Sequence, residues 1–129
     1  MRFIEWFAGV GGFRLGLESA GHTCVGACEI DKHARRVYER RFDHAPEFED
    51  IQDVTPSAVP DADLWVGGFP CQDTSIAGKR AGVVAGTRSG LWWAWYDLIC
   101  AVRPKWLIVE NPPGLFISRG GADFGSIIA

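Results

Sequence analysis

A chain of 129 residues, 47% hydrophobic and 22% charged, has room for one domain with a proper core and no more. No apolar run approaches the ~18 residues of a membrane span, and the first residues lack a secretory leader's layout, so a cytoplasmic location is expected. A net charge of −3 excludes a chain-wide attraction for nucleic acid, leaving any polyanion to a local patch or to other protein.

In chain order, Arg2-Phe3-Ile4-Glu5-Trp6-Phe7 reads as a strand running into Ala8-Gly9-Val10-Gly11-Gly12. The stretch from Phe13 to Ala20 reads as a helix stopped by Gly21. A second buried strand spans Thr23 to Glu29. An amphipathic helix follows from Asp31 to about Phe42, with Ala34, Val37, Tyr38 and Phe42 on one face and Lys32, Arg35, Arg36, Glu39 and Arg40 on a solvated one. A short third strand is expected to end near Glu49-Asp50-Ile51, before a Pro/Asp-rich loop from Gln52 to Asp61.

The run Ala62 to Val66 predicts the next strand, and Gly67-Gly68-Phe69-Pro70-Cys71-Gln72 its exit. Asp73 to Arg88 shows no periodicity, a length typical of a lid or binding segment. Ser89 is placed to cap a tryptophan-rich helix from Gly90 to about Val102, whose stripe reads as core. Trp106 to Glu110 is a fifth strand, closed by Asn111-Pro112-Pro113-Gly114, and the tail from Asp123 opens another helix. Such alternation calls for an α/β fold, a doubly wound, mostly parallel sheet with helices on both faces.

Cysteines at positions 24, 28, 71 and 100 form no disulfide pattern, no Cys-x-x-Cys and no zinc set, so free thiols and no metal are expected. An arbitrary cysteine is more often a small buried hydrophobe than a reactive group. Cys71 differs because it follows a strand's C-terminal end, where open α/β sheets bind ligands, on a stiff approach set by Pro70. Gly9-x-Gly11-Gly12 opens a helix after the first strand, and Glu29 ends the second, placed to accept hydrogen bonds from ribose hydroxyls. That pattern fits a nicotinamide dinucleotide or S-adenosylmethionine, although Arg14 stands where the dinucleotide fingerprint has its last glycine. Glu110, an acid at a strand end after four apolar residues, is read as partly buried and able to hold a proton for a ring nitrogen.

Taken together these segments resemble the DNA cytosine-5 methyltransferases over nearly the whole chain. Phe7-Ala8-Gly9-Val10-Gly11-Gly12 is similar to the family's cofactor loop, and Glu29-Ile30 to its ribose acceptor and adenine-packing residue. Asp50-Ile51 is similar to the pair at the adenine edge, Pro70-Cys71-Gln72 to the nucleophile motif, Arg88-Ser89-Gly90-Leu91 to the next motif, and Glu110-Asn111 to the acid motif. The segment from Gly114-Leu115 to Phe124 resembles the one that follows. Pro112 departs from the family's usual valine and removes a backbone donor beside the acid.

The resemblance implies a Rossmann-like class I methyltransferase fold, truncated after about the fifth strand, with residues 1–129 forming an incomplete S-adenosylmethionine-binding catalytic lobe. It implies S-adenosylmethionine held by Phe7, Gly9, Gly11, Gly12, Glu29, Ile30, Asp50, Ile51, Pro70 and Leu91. A cytosine flipped out of duplex DNA would meet Cys71 at carbon 6 and Glu110 at N3, with Gln72, Ser75, Lys79 and Arg80 in a loop closing on the substrate. Family members continue with an arginine-bearing motif, further strands, a target-recognition domain and a late cofactor segment. The expectation is therefore a fragment, or one chain of a split enzyme, that alone is unstable, self-associating or inactive, with its last strand at an exposed sheet edge. Other readings are a non-catalytic cofactor-binding remnant, an RNA cytosine methyltransferase and, last, a nicotinamide oxidoreductase.

Overall fold

The computed structural model describes residues 1–70 and 91–128. Cys71, Gln72, Ser75, Lys79, Arg80 and the Ser89 cap lie outside the described residues. The chain begins with strand β1 (Arg2–Trp6), helix α1 (Gly12–Ser19), β2 (Thr23–Cys28) and α2 (Lys32–Phe42). After two short 3-10 turns come β3 (Leu64–Gly67), α3 (Leu91–Val102) and β4 (Trp106–Val109), then α4 (Gly114–Ile117) and α5 (Ala122–Ile128). The strands form one parallel sheet in the order β2-β1-β3-β4.

Alternation along the strands sorts the two faces of the sheet. Phe3, Leu64 and Val66 pack beneath Phe13 and Leu17 of α1, while Ala27 meets Tyr38 of α2 on the same side. Ile4, Trp6, Cys28 and Trp65 point the other way, into a core closed by Trp92, Trp95 and Leu98 of α3 and by Leu115. Trp6 and Trp65 lie 4.9 Å apart by ring centroid, and Trp92 meets Trp95 edge-on at 5.9 Å. The tryptophan stripe of α3 is thus core, as its pattern predicts.

Two expectations need correcting. The segment expected to carry a third strand makes one parallel bridge, Phe48 to Cys28, and then turns into the 3-10 segment Ile51–Asp53. The Asp50 side chain accepts from the Gln52 amide at 2.9 Å, and this local bond competes with any further pairing. Among the described residues the sheet therefore has four strands, and Trp106–Val109 is the fourth. On α2, Val37 is exposed, whereas Arg35 is half-buried and bonded to backbone. The expected edge position of the last strand does hold: Trp106, Leu107 and Ile108 are 63%, 39% and 44% exposed.

Candidate cofactor and acid site

Because all four described strands are parallel, their C-terminal ends share one rim. After β1 the chain turns sharply: Phe7, Gly9 and Gly11 have φ of 53°, 55° and 85°. For Phe7 this left-handed backbone costs on the order of 1 kcal/mol. It is held by the Ala8 amide donating to the Cys28 carbonyl at 2.9 Å and by the Phe7 ring meeting Trp95 edge-on at 5.6 Å.

Gly11 is required by packing as well as conformation, since a Cβ there would run into the ring of Phe42. Arg14, in place of a third glycine, lies 4.2 Å over that ring, donates to the Tyr38 hydroxyl at 3.2 Å and pairs with Glu18 at 2.9 Å. Beneath this corner Glu5 is fully buried and accepts from the Arg14 amide at 3.2 Å. Burial raises its carboxyl to about 7 against the lowering effect of the Arg14 and Phe13 amides, the Arg14 charge and the Tyr38 hydroxyl.

At the end of β2, Glu29 accepts from the Gly9 amide at 2.7 Å through one oxygen and from the Asp31 amide at 2.7 Å through the other. These bonds fix the carboxylate and leave lone pairs on both oxygens. Phe7, Glu29, Ile30, Asp50, Ile51, Pro70 and Leu91 come together around a cleft of about 150 Å³. Ile30 is exposed and Ile51 is rooted in the core. Gly9 joins the site through Glu29, but Gly11 and Gly12 are not in the cleft wall. Gly12 instead borders an apolar shelf on the α1 face with Phe13, Gly16, Leu17 and Ile108.

Cys28, Glu49 and Gly68 complete the wall and were not singled out from sequence. Adjacency to Glu29 and Asp50 was the available signal for the first two. Burial, followed by the charges of Glu29 and Asp50, pushes the Cys28 thiol up to about 12, and burial also raises Cys24. Neither supplies a thiolate near neutrality. Three acidic residues, Glu29, Glu49 and Asp50, are among those lining this mostly apolar cleft, and no lysine or arginine is among its described lining residues. Among the described residues no cluster of His, Cys, Asp and Glu is suited to a metal ion.

Glu110 follows β4, its amide donating to the Gly67 carbonyl at 2.9 Å. Asn111 ties the ends of β3 and β4 together by donating to the Phe69 carbonyl at 3.1 Å. A Cβ on Gly68 would lie 2.5 Å from Glu110 Oε2, so the carboxylate rests against a residue that lines the cleft. The expected partial burial of Glu110 is not found: its side chain is exposed, because no described element lies beyond β4.

Comparison with known proteins decides the assignment. Residues 1–129 match the family model for C-5 cytosine-specific DNA methylase. The chain belongs to that family. It is 41% identical over 125 residues to the Type II methyltransferase M.NgoBI of Neisseria gonorrhoeae, covering 97% of this chain and 39% of the relative. Against the Type II methyltransferase M.HaeII of Haemophilus aegyptius it is 43% identical over 121 residues, covering 94% and 37%.

Two solved structures share the fold. The S. pombe Dnmt2 methyltransferase superposes with a TM-score of 0.75 at 21% identity over 99% of this chain and 39% of its own. The Entamoeba histolytica methyltransferase EhMeth gives 0.79 at 20% identity over 99% and 42%. The architecture is therefore that of a Rossmann-like class I methyltransferase, and this chain spans well under half the length of these relatives. Among the described residues no helix is long and apolar enough to cross a membrane.

Proposed function

We propose that this methylase chain carries the cofactor site and the catalytic pair for transferring a methyl group from S-adenosylmethionine to carbon 5 of cytosine in DNA. The observation that carries the reading is the cleft at the strand ends, lined by Glu29, Glu49 and Asp50 with no lysine or arginine among its described lining residues. Carboxylates within a few ångströms of one site repel the pyrophosphate of a dinucleotide and attract the sulfonium and ammonium groups of S-adenosylmethionine. Glu29, already oriented by two amides, offers its remaining lone pairs to ribose hydroxyls, and Ile30 presents an exposed apolar side chain for the adenine.

When bound, the cofactor supplies an electrophilic methyl group. Cys71 attacks carbon 6 of a flipped-out cytosine as a thiolate while Glu110 supports the adjacent N3, which makes carbon 5 nucleophilic. After methyl transfer the carbon 5 proton is lost and the bond to the Cys71 sulfur breaks, restoring the thiolate and the aromatic ring. Gln72, Ser75, Lys79 and Arg80 belong to the loop that meets the substrate. Catalysis needs further protein over the bare β4 edge, carrying the recognition elements of the longer relatives, in the same polypeptide or a second chain.

The test is a duplex containing 5-fluorocytosine, which blocks the final elimination, incubated with S-adenosylmethionine, this chain and the C-terminal part of a relative such as M.NgoBI. A covalent protein–DNA adduct that forms with the unaltered chain and not with Cys71→Ser is expected. An adduct that persists in Cys71→Ser overturns the assignment.

A further inference from the structure

Arg35 belongs to the face of α2 that sequence alone assigns to solvent, yet its guanidinium is spent on backbone. Nη1 donates to the carbonyls of Glu29 and Phe48, both at 2.8 Å, and Nη2 donates to that of Pro46 at 3.0 Å. The segment it reaches is joined to β2 by few other bonds. The Phe48 amide donates to Ala27 at 3.0 Å, the Glu29 amide to Phe48 at 3.1 Å, and the Ala27 amide to the Glu47 carboxylate at 2.7 Å. Pairing stops there, because Phe48 makes only one bridge and the chain then turns at Asp50.

One arginine thus does for this edge what another strand would do elsewhere, meeting three carbonyls from two stretches of chain with a planar fork of donors. Those two stretches lie side by side and both line the cleft, Glu29-Ile30 from one and Glu49-Asp50-Ile51 from the other.

We propose that Arg35 is a positioning residue for the cofactor site, setting the separation of Glu29 from Asp50 that admits an adenosine. The role rests on the cofactor reading above. A lysine, with a single ammonium in place of the fork, cannot reach all three carbonyls and restores the function only in part. Arg36, exposed on the same helix, has no such bonds and serves as the control.

The experiment is calorimetric titration of the full chain with S-adenosylhomocysteine, together with amide exchange of the ligand-free protein. Arg35→Ala is expected to weaken binding about tenfold or more, the scale of losing charge-assisted bonds. Arg35→Lys is expected to fall between, and Arg36→Ala to leave binding unchanged. With Glu29→Ala already present, the further loss from Arg35→Ala shrinks to under about threefold, since coupled residues are not additive. The Glu29 and Phe48 amides exchange faster in Arg35→Ala without ligand. Binding by Arg35→Ala equal to that of the unaltered chain, an equal loss in both backgrounds, or unchanged exchange overturns this role alone. No binding by the unaltered chain, even with the C-terminal part of M.NgoBI added, overturns the cofactor reading and this role with it.

Discussion

β2 and β4 are both outer strands of one parallel sheet, but they are finished differently. β2 is flanked by the segment around Phe48, which Arg35 and Glu47 stitch to it, and its inward residues Ala27 and Cys28 are 1% and 2% exposed. β4 has no described neighbour on its outer side, and Trp106, Leu107 and Ile108 stand open to solvent. On the α3 face its Leu107 and Val109 continue into an apolar groove with Leu115, Phe116, Phe124 and Ile127. The contrast separates two requirements of the chemistry. The half around β2 is closed by residues near in sequence, whereas Glu110 on the far edge keeps an exposed side chain.

The largest expected difference lies between two tryptophans. Trp65, wholly buried on β3, should cost about 3–5 kcal/mol when changed to alanine. Trp106, 63% exposed on β4, should cost under about 0.5 kcal/mol for the same change. Urea denaturation followed by fluorescence reads both. Comparable losses would mean that β4 is covered in solution, and the Trp106 variant should then also shift the sedimentation coefficient of the unaltered chain's self-associated form.

Next in size is a pH effect confined to the covered half. The folded state holds the Glu5 proton up to about 7, whereas an unfolded glutamate releases it at its ordinary value of 4.5. The associated stability is therefore fully present below the unfolded value and is lost as pH rises toward the folded one. The loss is on the order of 3 kcal/mol between pH 4.5 and 7. Unfolding free energies of Glu5→Gln and the unaltered chain across this window should diverge by that amount, the variant lacking the decline. Parallel curves would show that Glu5 is charged in the folded protein.

Adjacent glycines give a finer comparison. A Cβ on Gly67 would sit 2.7 Å from the Trp6 carbonyl oxygen and 3.1 Å from the Trp95 ring, so Gly67→Ala is expected to cost about 1–3 kcal/mol. On Gly68 the nearest atom is the mobile end of Glu110, so Gly68→Ala should cost under about 0.5 kcal/mol yet displace the acid. Melting curves and the 5-fluorocytosine adduct assay distinguish a stability defect from a chemical one.

Much of this arrangement was readable from residue pattern. Apolar runs punctuated by glycine and proline marked β1, β2, β3, β4 and the three long helices, and positions just past strand ends marked Glu29 and Glu110. The expected third strand ending near Glu49-Asp50-Ile51 stops at a single bridge, because the Asp50 side chain captures the Gln52 amide and turns the chain. Arg35 was not legible because sequence does not distinguish it from Arg36 or Arg40; only the helix phase set by Tyr38 turns it toward backbone. The exposure of Glu110 accords with the edge position expected for its strand, but the four apolar residues before the acid point by themselves to burial.

The most direct measurement is competition between S-adenosylmethionine and NAD for the cleft, by calorimetry on the unaltered chain and on Glu29→Ala. Binding of S-adenosylmethionine but not of NAD is expected, with the Glu29 variant weakened about tenfold or more. Preference for NAD, or an affinity for S-adenosylmethionine that ignores the loss of Glu29, would contradict the assignment of the cleft.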